Sequence, residues 1–246
     1  MTADGAGDEL DWAVEEVATP GGPARLHITP AGGPSRLRLL IGHGAGGGVE
    51  SPDLLALSRA LPRAGITVLR LEQPWRVAGR RLAGRPATLD EATASVLSQL
   101  SAGSPVVLAG RSAGARSACR VAGPAAAPRG GHVVGVICLA FPLHPPGKGR
   151  DPGRSRAEEL ERVLEAGLPL HVVQGSRDAF GSADDVRAAV PAIARDVHEV
   201  PLADHSFVVP KRAGAAAGTS TEQALREVAA AVSSAVSAID GGGFSE

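Results

Sequence analysis

The chain has 246 residues and a formal net charge of −1, from 25 basic and 26 acidic residues. This balance gives no electrostatic basis for binding nucleic acid or an anionic membrane surface, and no apolar run approaches the ~20 residues of a membrane span. The length is typical of one α/β domain. We therefore predict a single domain over 1–246, with about residues 1–10 and 241–246 disordered.

The features that indicate a cellular compartment favour the cytoplasm. Residues 1–16 are acidic and contain neither the basic nor the apolar segment of a secretory signal. Cys119 falls in a predicted helix and Cys138 in an apolar strand. We interpret both as buried, reduced thiols rather than as a disulfide framework. We therefore predict a cytoplasmic protein.

Strands and helices alternate along the chain. Several strands are continuously apolar, 133–140 above all, which is typical of central parallel strands covered on both faces. We predict an α/β fold with a mostly parallel central sheet of about seven strands and helices on both faces. The predicted strands are 25–29, 36–41, 66–71, 105–110, 133–140, 169–174 and 196–200.

Capping residues mark where several helices begin. Ser51 followed by Pro52 predicts an N-cap with proline at the first helical position, and the segments 88–91 and 219–222 match a capping box. The last helix has an apolar stripe that repeats about every 3.6 residues, which predicts docking on the sheet. The stripe consists of Leu225, Val228, Val232, Ala235, Val236 and Ile239.

The segment 106–115 combines an apolar strand with a G-x-S-x-G motif, in the sequence VVLAGRSAGA. In such a strand–turn–helix the serine lies in a tight turn with its hydroxyl above the sheet edge. The flanking glycines avoid clashes with the neighbouring strand and helix. The motif alone is weak evidence in a glycine-rich chain, but the strand before it and the small residues after it agree with it. We predict that Ser112 is a nucleophile.

Two further strand ends supply the partners that such a serine needs. An apolar strand ends shortly before Asp178, and the next strand ends shortly before His205. The chain order Ser112, Asp178, His205 is that of α/β-hydrolases and differs from the orders in chymotrypsin and subtilisin. We predict His205 as the general base and Asp178 as the acid that orients it. Asp204 is the competing carboxylate, but its position next to His205 favours a role in ordering the loop.

The glycine-rich turn 42–48 follows another predicted strand. In this fold such a turn supplies half of the oxyanion hole from a backbone N–H, so we predict the N–H groups of Ala45 and Ala113 as the oxyanion donors. His43 is interpreted first as a support of this loop. The candidate contacts with substrate are His43, Gly44, Gly46, Trp75, Arg111 and His144. The basic pair Arg80 and Arg81 either receives an anionic substrate or is simply solvated.

The segment 142–156 follows the strand that ends at Ala140 and is rich in Pro, Gly and Arg. Many hydrolases of this architecture carry a helical lid at this point. This segment is too short and too rich in helix-breaking residues to form one. We expect no lid domain and a shallow, open active site.

Several of these segments together resemble a known family. The chain is similar to lidless α/β-hydrolases of the dienelactone-hydrolase-like kind, and more narrowly to the group of testis-expressed protein 30 and the third subunit of the non-specific-lethal histone acetyltransferase complex. The resemblance spans about residues 36–212 and implies an α/β-hydrolase fold, in a group where some members act as scaffolds. Relatives tend to carry a Phe-Pro-Tyr-like segment where this chain has Glu-Gln-Pro-Trp at 72–75, so the substrate-facing wall is expected to differ. The segments that carry the resemblance are 42–47, 110–116, 141–148, 174–178 and 203–207.

A dinucleotide-binding domain is one alternative. Gly42, Gly44 and Gly47 match G-x-G-x-x-G after a strand, and Glu72 lies at the end of the next strand, as a dinucleotide-binding fingerprint requires. In that fold, however, the helix begins within the motif so that its N-terminus meets the pyrophosphate. Here the predicted helix begins only at Ser51, which makes this the less favoured alternative.

A non-catalytic interaction module is the second alternative, because fold alone does not guarantee activity. All three catalytic residue types and the small residues of the oxyanion hole are present, so we favour an enzyme. The favoured hypothesis is a serine hydrolase acting on a small carboxylic ester or related acyl compound. Its mechanism needs no metal and no organic cofactor, and its expected partner is a small-molecule acyl substrate, not nucleic acid or a membrane.

Overall fold

In the computed structural model, which describes residues 13–100, 104–125, 133–145 and 151–242, eight strands form one sheet with helices on both faces. The strands are β1 (Ala13–Val17), β2 (Ala24–Thr29), β3 (Leu37–Gly42), β4 (Ile66–Glu72), β5 (Val106–Arg111), β6 (Val133–Leu139), β7 (Leu170–Gly175) and β8 (Val197–Val200). The helices are α1 (Pro52–Ala60), α2 (Pro74–Val77), α3 (Pro86–Gln99), α4 (Ala113–Ala125), α5 (Ala157–Glu165), α6 (Ala183–Ala189), α7 (Lys211–Ala217) and α8 (Thr221–Gly242).

The sheet has the order β1-β2-β4-β3-β5-β6-β7-β8. The pairs β1–β2 and β2–β4 are antiparallel, and every other neighbouring pair is parallel. All seven predicted strands are present, each within one residue of its predicted ends. The prediction of about seven strands missed β1, which is exposed along most of its length and carries Glu15 and Glu16 at its centre. Such a strand shows neither an apolar run nor a clean alternation.

Two apolar layers cover the sheet, one on each face. One layer joins the sheet to α3, α4, α5 and α6, and the other joins it to α1 and α8. The predicted stripe of α8 does dock on the sheet, since Val228, Val232 and Ile239 are buried in the second layer and Leu225 packs against it. Helices on both faces of a parallel sheet bring the carboxyl ends of the parallel strands to one edge.

The helix boundaries confirm one predicted cap and correct two others. Helix α1 begins at Pro52 with Ser51 as its N-cap, as predicted. Helix α3 begins at Pro86 rather than after Thr88, because proline pre-sets the first helical φ, and the Thr88 hydroxyl donates to the carbonyl of Arg85. Helix α8 is preceded by Ser220, not Thr219, and the Ser220 hydroxyl accepts the N–H of Gln223.

The predicted disordered ends are only partly covered by the structure. Helix α8 continues to Gly242, so residues 241 and 242 are helical and that part of the prediction is wrong. Residues 1–12 and 243–246 lie outside the described residues. Within the part of the chain that is described, no helix is both long and apolar enough to cross a membrane.

The described part of the connection between β6 and α5 carries no lid. Its described residues, 140–145 and 151–156, contain a single turn of 3-10 helix at Pro152–Arg154. The prediction of a lidless fold is therefore confirmed.

Both cysteines are buried as predicted, and Cys119 Sγ and Cys138 Sγ lie 3.4 Å apart without a disulfide bond. The hydrogen bond with the Cys119 thiol and burial raise the pKa of the Cys138 thiol.

Candidate active site

Ser112 occupies the sharp turn between β5 and α4. Its φ is 54°, in the left-handed region that non-glycine residues rarely adopt. The glycines on either side have no room for a side chain, because a Cβ on Gly110 would lie 2.1 Å from the carbonyl carbon of Gly114, and a Cβ on Gly114 would lie 2.3 Å from the carbonyl oxygen of Gly42. The turn is tied to the sheet by the Ser112 N–H, which donates to Leu139 at 2.9 Å. The strained turn lifts the hydroxyl above the sheet edge.

Three side chains from separate strand ends form a continuous chain of hydrogen bonds. The Ser112 hydroxyl lies 2.9 Å from His205 Nε2, and His205 Nδ1 lies 2.7 Å from Asp178 Oδ2. The Asp178 side chain is fully buried, whereas that of His205 is 19% exposed. The hydrogen-bond geometry predicted for Ser112, His205 and Asp178 is therefore present.

The competing carboxylate, Asp204, points away from this chain of hydrogen bonds. Its Oδ1 accepts the N–H of Ser206 at 2.8 Å and the N–H of Val208 at 2.9 Å. The N–H of Phe207 donates to the Asp204 carbonyl, and Phe207 has a φ of 55°. Asp204 thus orders the loop that carries His205, as expected from its position next to the histidine.

Sequence reasoning missed two residues, Gln174 and Phe180, that support Asp178 and His205. The N–H of Phe180 donates to Asp178 Oδ1 at 2.8 Å, and the amide Nε2 of Gln174 donates to Asp178 Oδ2 at 3.0 Å. The Phe180 ring packs edge-on against the His205 ring, with centroids 4.5 Å apart. Gln174 lies four residues before Asp178, within the segment 174–178, but only the fold shows that its amide faces the carboxylate.

The glycine-rich turn after β3 lies over the nucleophile. The Gly47 N–H donates to the Gly44 carbonyl at 3.2 Å, which closes a turn with Ala45 and Gly46 exposed at its tip. A Cβ on Gly44 would lie only 3.4 Å from the Cβ of Ser112. Within the described residues, the N–H groups of Ala45 and Ala113 donate to no protein acceptor. Both remain free to bind a developing oxyanion.

His43 supports this turn from below and is not exposed to a ligand. Only 1% of its surface is exposed. Its Nδ1 donates to the Gly44 carbonyl at 2.9 Å, and its Nε2 accepts the backbone N–H of Gln73 at 3.2 Å. Burial lowers the pKa of His43, although the hydrogen bond to Gly44 opposes this. Because both ring nitrogens are engaged, His43 supports the turn, in line with its first interpretation, and its place among the candidate substrate contacts is corrected.

Arg111 is likewise engaged with the protein. Its Nη2 donates to the His205 carbonyl at 2.9 Å and to the Ser206 hydroxyl at 3.0 Å, while its Nε lies 3.5 Å from Asp53 Oδ2. Burial raises the pKa of the Asp53 carboxyl, and the Arg111 charge opposes this. The guanidinium therefore ties the Ser112 turn to the His205 loop and to the first turn of α1. This is a correction of its predicted role as a substrate contact.

The remaining candidate contacts lie on two sides of the site. Trp75 is 7% exposed and packs edge-on against His43 with centroids 5.5 Å apart. It lines a cavity of about 260 Å³ together with Arg80, while Arg81 is exposed. His144 is buried beside Phe180, since its backbone N–H donates to the Phe180 carbonyl at 2.8 Å. Of the other predicted contacts, Gly46 is exposed at the tip of the turn after β3.

The match to a family model settles the family. Residues 35–236 match the model described as "Alpha/beta hydrolase domain". The chain belongs to the α/β-hydrolase family. This match covers the turn after β3, Ser112, Asp178 and His205, and it agrees with the eight-stranded, mostly parallel sheet.

Solved structures similar to this α/β-hydrolase include several serine hydrolases. An α/β serine hydrolase homologue from Coxiella burnetii is 19% identical with a TM-score of 0.68, over 90% of this chain and 96% of that chain. An α/β serine hydrolase without a lid from Xanthomonas campestris is 18% identical with a TM-score of 0.65, over 92% and 94%. A dienelactone hydrolase from Anabaena variabilis is 17% identical with a TM-score of 0.65, over 93% and 97%. At these identities the likeness is one of fold.

The described residues of this region fit neither a dinucleotide site nor a metal site. The glycines of the turn after β3 do not open a helix, because α1 begins at Pro52, beyond Gly47. The dipole of α1 is therefore not aimed at the G-x-G-x-x-G motif, as dinucleotide binding requires. Across the ranges that the structure describes, no three His, Cys, Asp or Glu side chains form a group that could hold a metal ion.

Proposed function

We propose that this α/β-hydrolase is a serine hydrolase that acts on a small carboxylic ester or related acyl compound. The observation that carries the proposal is the hydrogen-bonded chain from Asp178 through His205 to Ser112, with the serine held at positive φ. A hydroxyl at its ordinary pKa is a weak nucleophile, and a positioned base within hydrogen-bond reach activates it.

In the first half of the reaction, Ser112 Oγ attacks the carbonyl carbon while His205 Nε2 takes its proton. Asp178 keeps the other proton on Nδ1 and stabilises the imidazolium that forms. The oxyanion is received by the N–H groups of Ala113 and Ala45, each contributing about 3 kcal/mol to lowering the barrier. The intermediate then collapses, and His205 returns the proton to the leaving alcohol.

In the second half, water takes the place of the alcohol. His205 removes its proton, the hydroxide attacks the acyl group on Ser112, and the acid is released with the proton returned to the serine. No step needs a metal or an organic cofactor. The partner in this proposal is a small acyl compound in the cytoplasm, in keeping with the near-neutral net charge of −1.

A non-catalytic interaction module remains the second candidate function. The narrower likeness to the group of testis-expressed protein 30 and the non-specific-lethal complex subunit favours it, because some members of that group act as scaffolds. The intact geometry around Ser112 favours catalysis, since an interaction module does not require a strained serine in reach of a supported histidine.

A fluorophosphonate probe tests the proposal directly. It should label the wild-type protein and leave Ser112→Ala unlabelled, and short p-nitrophenyl esters should be hydrolysed by the wild type alone. Ser98→Ala, at an exposed position of α3, is the matched control and should label like the wild type. Equal labelling of wild type and Ser112→Ala would overturn the proposal. Absence of both labelling and turnover in the wild type would favour the interaction module.

A further inference from the structure

Gln174, near the end of β7, is fully buried, and its amide lies within hydrogen-bond distance of four groups, three of which share the two N–H groups of Nε2. Its Nε2 lies 2.6 Å from the carbonyl of Gly181, 3.0 Å from Asp178 Oδ2 and 3.2 Å from the carbonyl of Phe141. Its Oε1 accepts the N–H of Phe141 at 2.8 Å. One side chain thus joins the start of the β6–α5 connection to the loop that carries Asp178.

The surroundings of this amide allow only one orientation. Three oxygen atoms surround Nε2, and an N–H group faces Oε1. A flipped amide would place its oxygen against those three oxygens and its NH₂ against a donor. The orientation that turns an N–H towards Asp178 is therefore determined by the contacts of the amide to Gly181 and Phe141.

The Asp178 carboxylate is consequently held at both oxygens. Oδ1 accepts the Phe180 N–H at 2.8 Å, and Oδ2 accepts both the Gln174 amide and His205 Nδ1. We propose that Gln174 is a positioning residue of this α/β-hydrolase, which holds Asp178 Oδ2 in line with His205 Nδ1. This inference rests on the proposed function for its effect on rate, but the positioning itself is a property of the folded protein.

Two substitutions at this position separate positioning from packing. Gln174→Met keeps a similar shape and removes the polar contacts of the amide, so that apart from His205 only the Phe180 N–H, among the described residues, still orients the Asp178 carboxylate. We expect kcat on p-nitrophenyl esters to fall by about 10- to 100-fold with KM unchanged, the equivalent of one hydrogen bond to a charged group.

Gln174→Glu adds a dependence on pH that packing alone does not produce. A glutamate in the same pose faces three oxygens and donates to Asp178 only while it is protonated, and two carboxyl groups this close share one proton. The ratio of the kcat of Gln174→Glu to that of Gln174→Met should therefore fall as the pH rises. A constant ratio, or wild-type kcat in both variants, would overturn the inference.

A measurement without substrate distinguishes this inference from the proposed function. The proton on His205 Nδ1 should give a far-downfield resonance in the wild type, and Gln174→Met should lose it. If the wild type is inert to fluorophosphonate but shows this loss, the proposed function fails and the positioning role stands. If the resonance persists unchanged in Gln174→Met, the positioning role fails. If Gln174→Met does not fold, the same resonance is measured in Gln174→Glu at a low pH, where the introduced carboxyl group and Asp178 share a proton, and at a high pH, where they do not. Loss of the resonance at the high pH supports the positioning role of Gln174, and persistence of the resonance there overturns it.

Discussion

The two aspartates considered as the acid, Asp178 and Asp204, differ in what their carboxylates contact. Asp178 faces the imidazole, whereas Asp204 accepts two backbone N–H groups of its own loop. Asp178→Asn removes the acceptor that keeps the proton on Nδ1, so kcat should fall by about 10,000-fold. Asp204→Asn keeps an oxygen acceptor for the loop, and its kcat should stay within about tenfold of the wild type. Steady-state ester hydrolysis measures both, and the reverse order of effects would reassign the acid.

The burial of His43 beneath the glycine-rich turn after β3 makes the stability of the protein depend on pH. Its Nε2 accepts the Gln73 N–H, and a second proton on the ring would oppose that donor. Its pKa is lowered by burial, so below about pH 6.5 the unfolded chain binds a proton that the folded protein does not. The free energy of unfolding should therefore decrease as the pH falls through this range.

Urea unfolding between pH 7.5 and 5.5 measures this effect. The midpoint of the wild type should decrease towards pH 5.5, and His43→Gln should show a shallower decrease. The pKa of His171 is lowered by burial as well, so the double variant with His171→Gln should be flatter still. Equal pH slopes for the wild type and His43→Gln would contradict this account.

The residues of the site show what a sequence can and cannot predict. Ser112, Asp178 and His205 were located from strand ends and chain order, because parallel strands bring their carboxyl ends to one edge. The supporting role of His43 follows from its place in the glycine-rich turn, but its burial and that of Arg111, which argue against contact with substrate, are not visible in a sequence. Gln174 and Phe180 were missed because their contacts with the acid and the base arise through space.

At the scale of elements, the close crossing of α4 over β3 and β5 determines where Ser112 lies. A Cβ on Gly114 would lie 2.3 Å from the backbone oxygen of Gly42, which has no flexible side chain to move aside. Gly114→Ala should lower the free energy of unfolding by roughly 3 kcal/mol and reduce fluorophosphonate labelling. Gly123→Ala on the same helix meets no atom within 4 Å and should change stability by less than about 1 kcal/mol. Similar losses of stability in both variants would show that the close approach of Gly114 to Gly42 does not exclude a side chain.

The elements themselves were predictable to different degrees. All seven predicted strands lie within one residue of the observed ends, and the central parallel strands were the plainest of them because they are apolar along most of their length. Helix starts were harder to predict, because Thr88 and Thr219 resemble N-caps in sequence, whereas the N-caps are Arg85, directly before Pro86, and Ser220. The short, exposed strand β1 gave no periodic signal and depends on pairing with β2 for its structure.

Across the whole molecule, backbone strain is concentrated at one edge of the sheet. Four non-glycine residues among those described have positive φ, and all four follow the carboxyl ends of strands: Ser112, Ala140, Leu202 and Phe207. Such conformations cost about 1–3 kcal/mol each and persist where the surrounding structure enforces them. The two apolar layers on either side of the sheet supply that enforcement, so the site geometry depends on the complete sheet.

The edge strand β1 also affects how this open sheet meets other molecules. An outermost strand leaves one row of backbone groups unpaired, which is a template for adding a strand from another chain. In β1, Glu15 and Glu16 are exposed at the centre of that strand. Two adjacent carboxylates would face the same pair on a second copy, and their repulsion disfavours edge-to-edge aggregation. Glu15 and Glu16, which remove the apolar pattern by which a strand is predicted from sequence, thus also disfavour the addition of further strands at this edge.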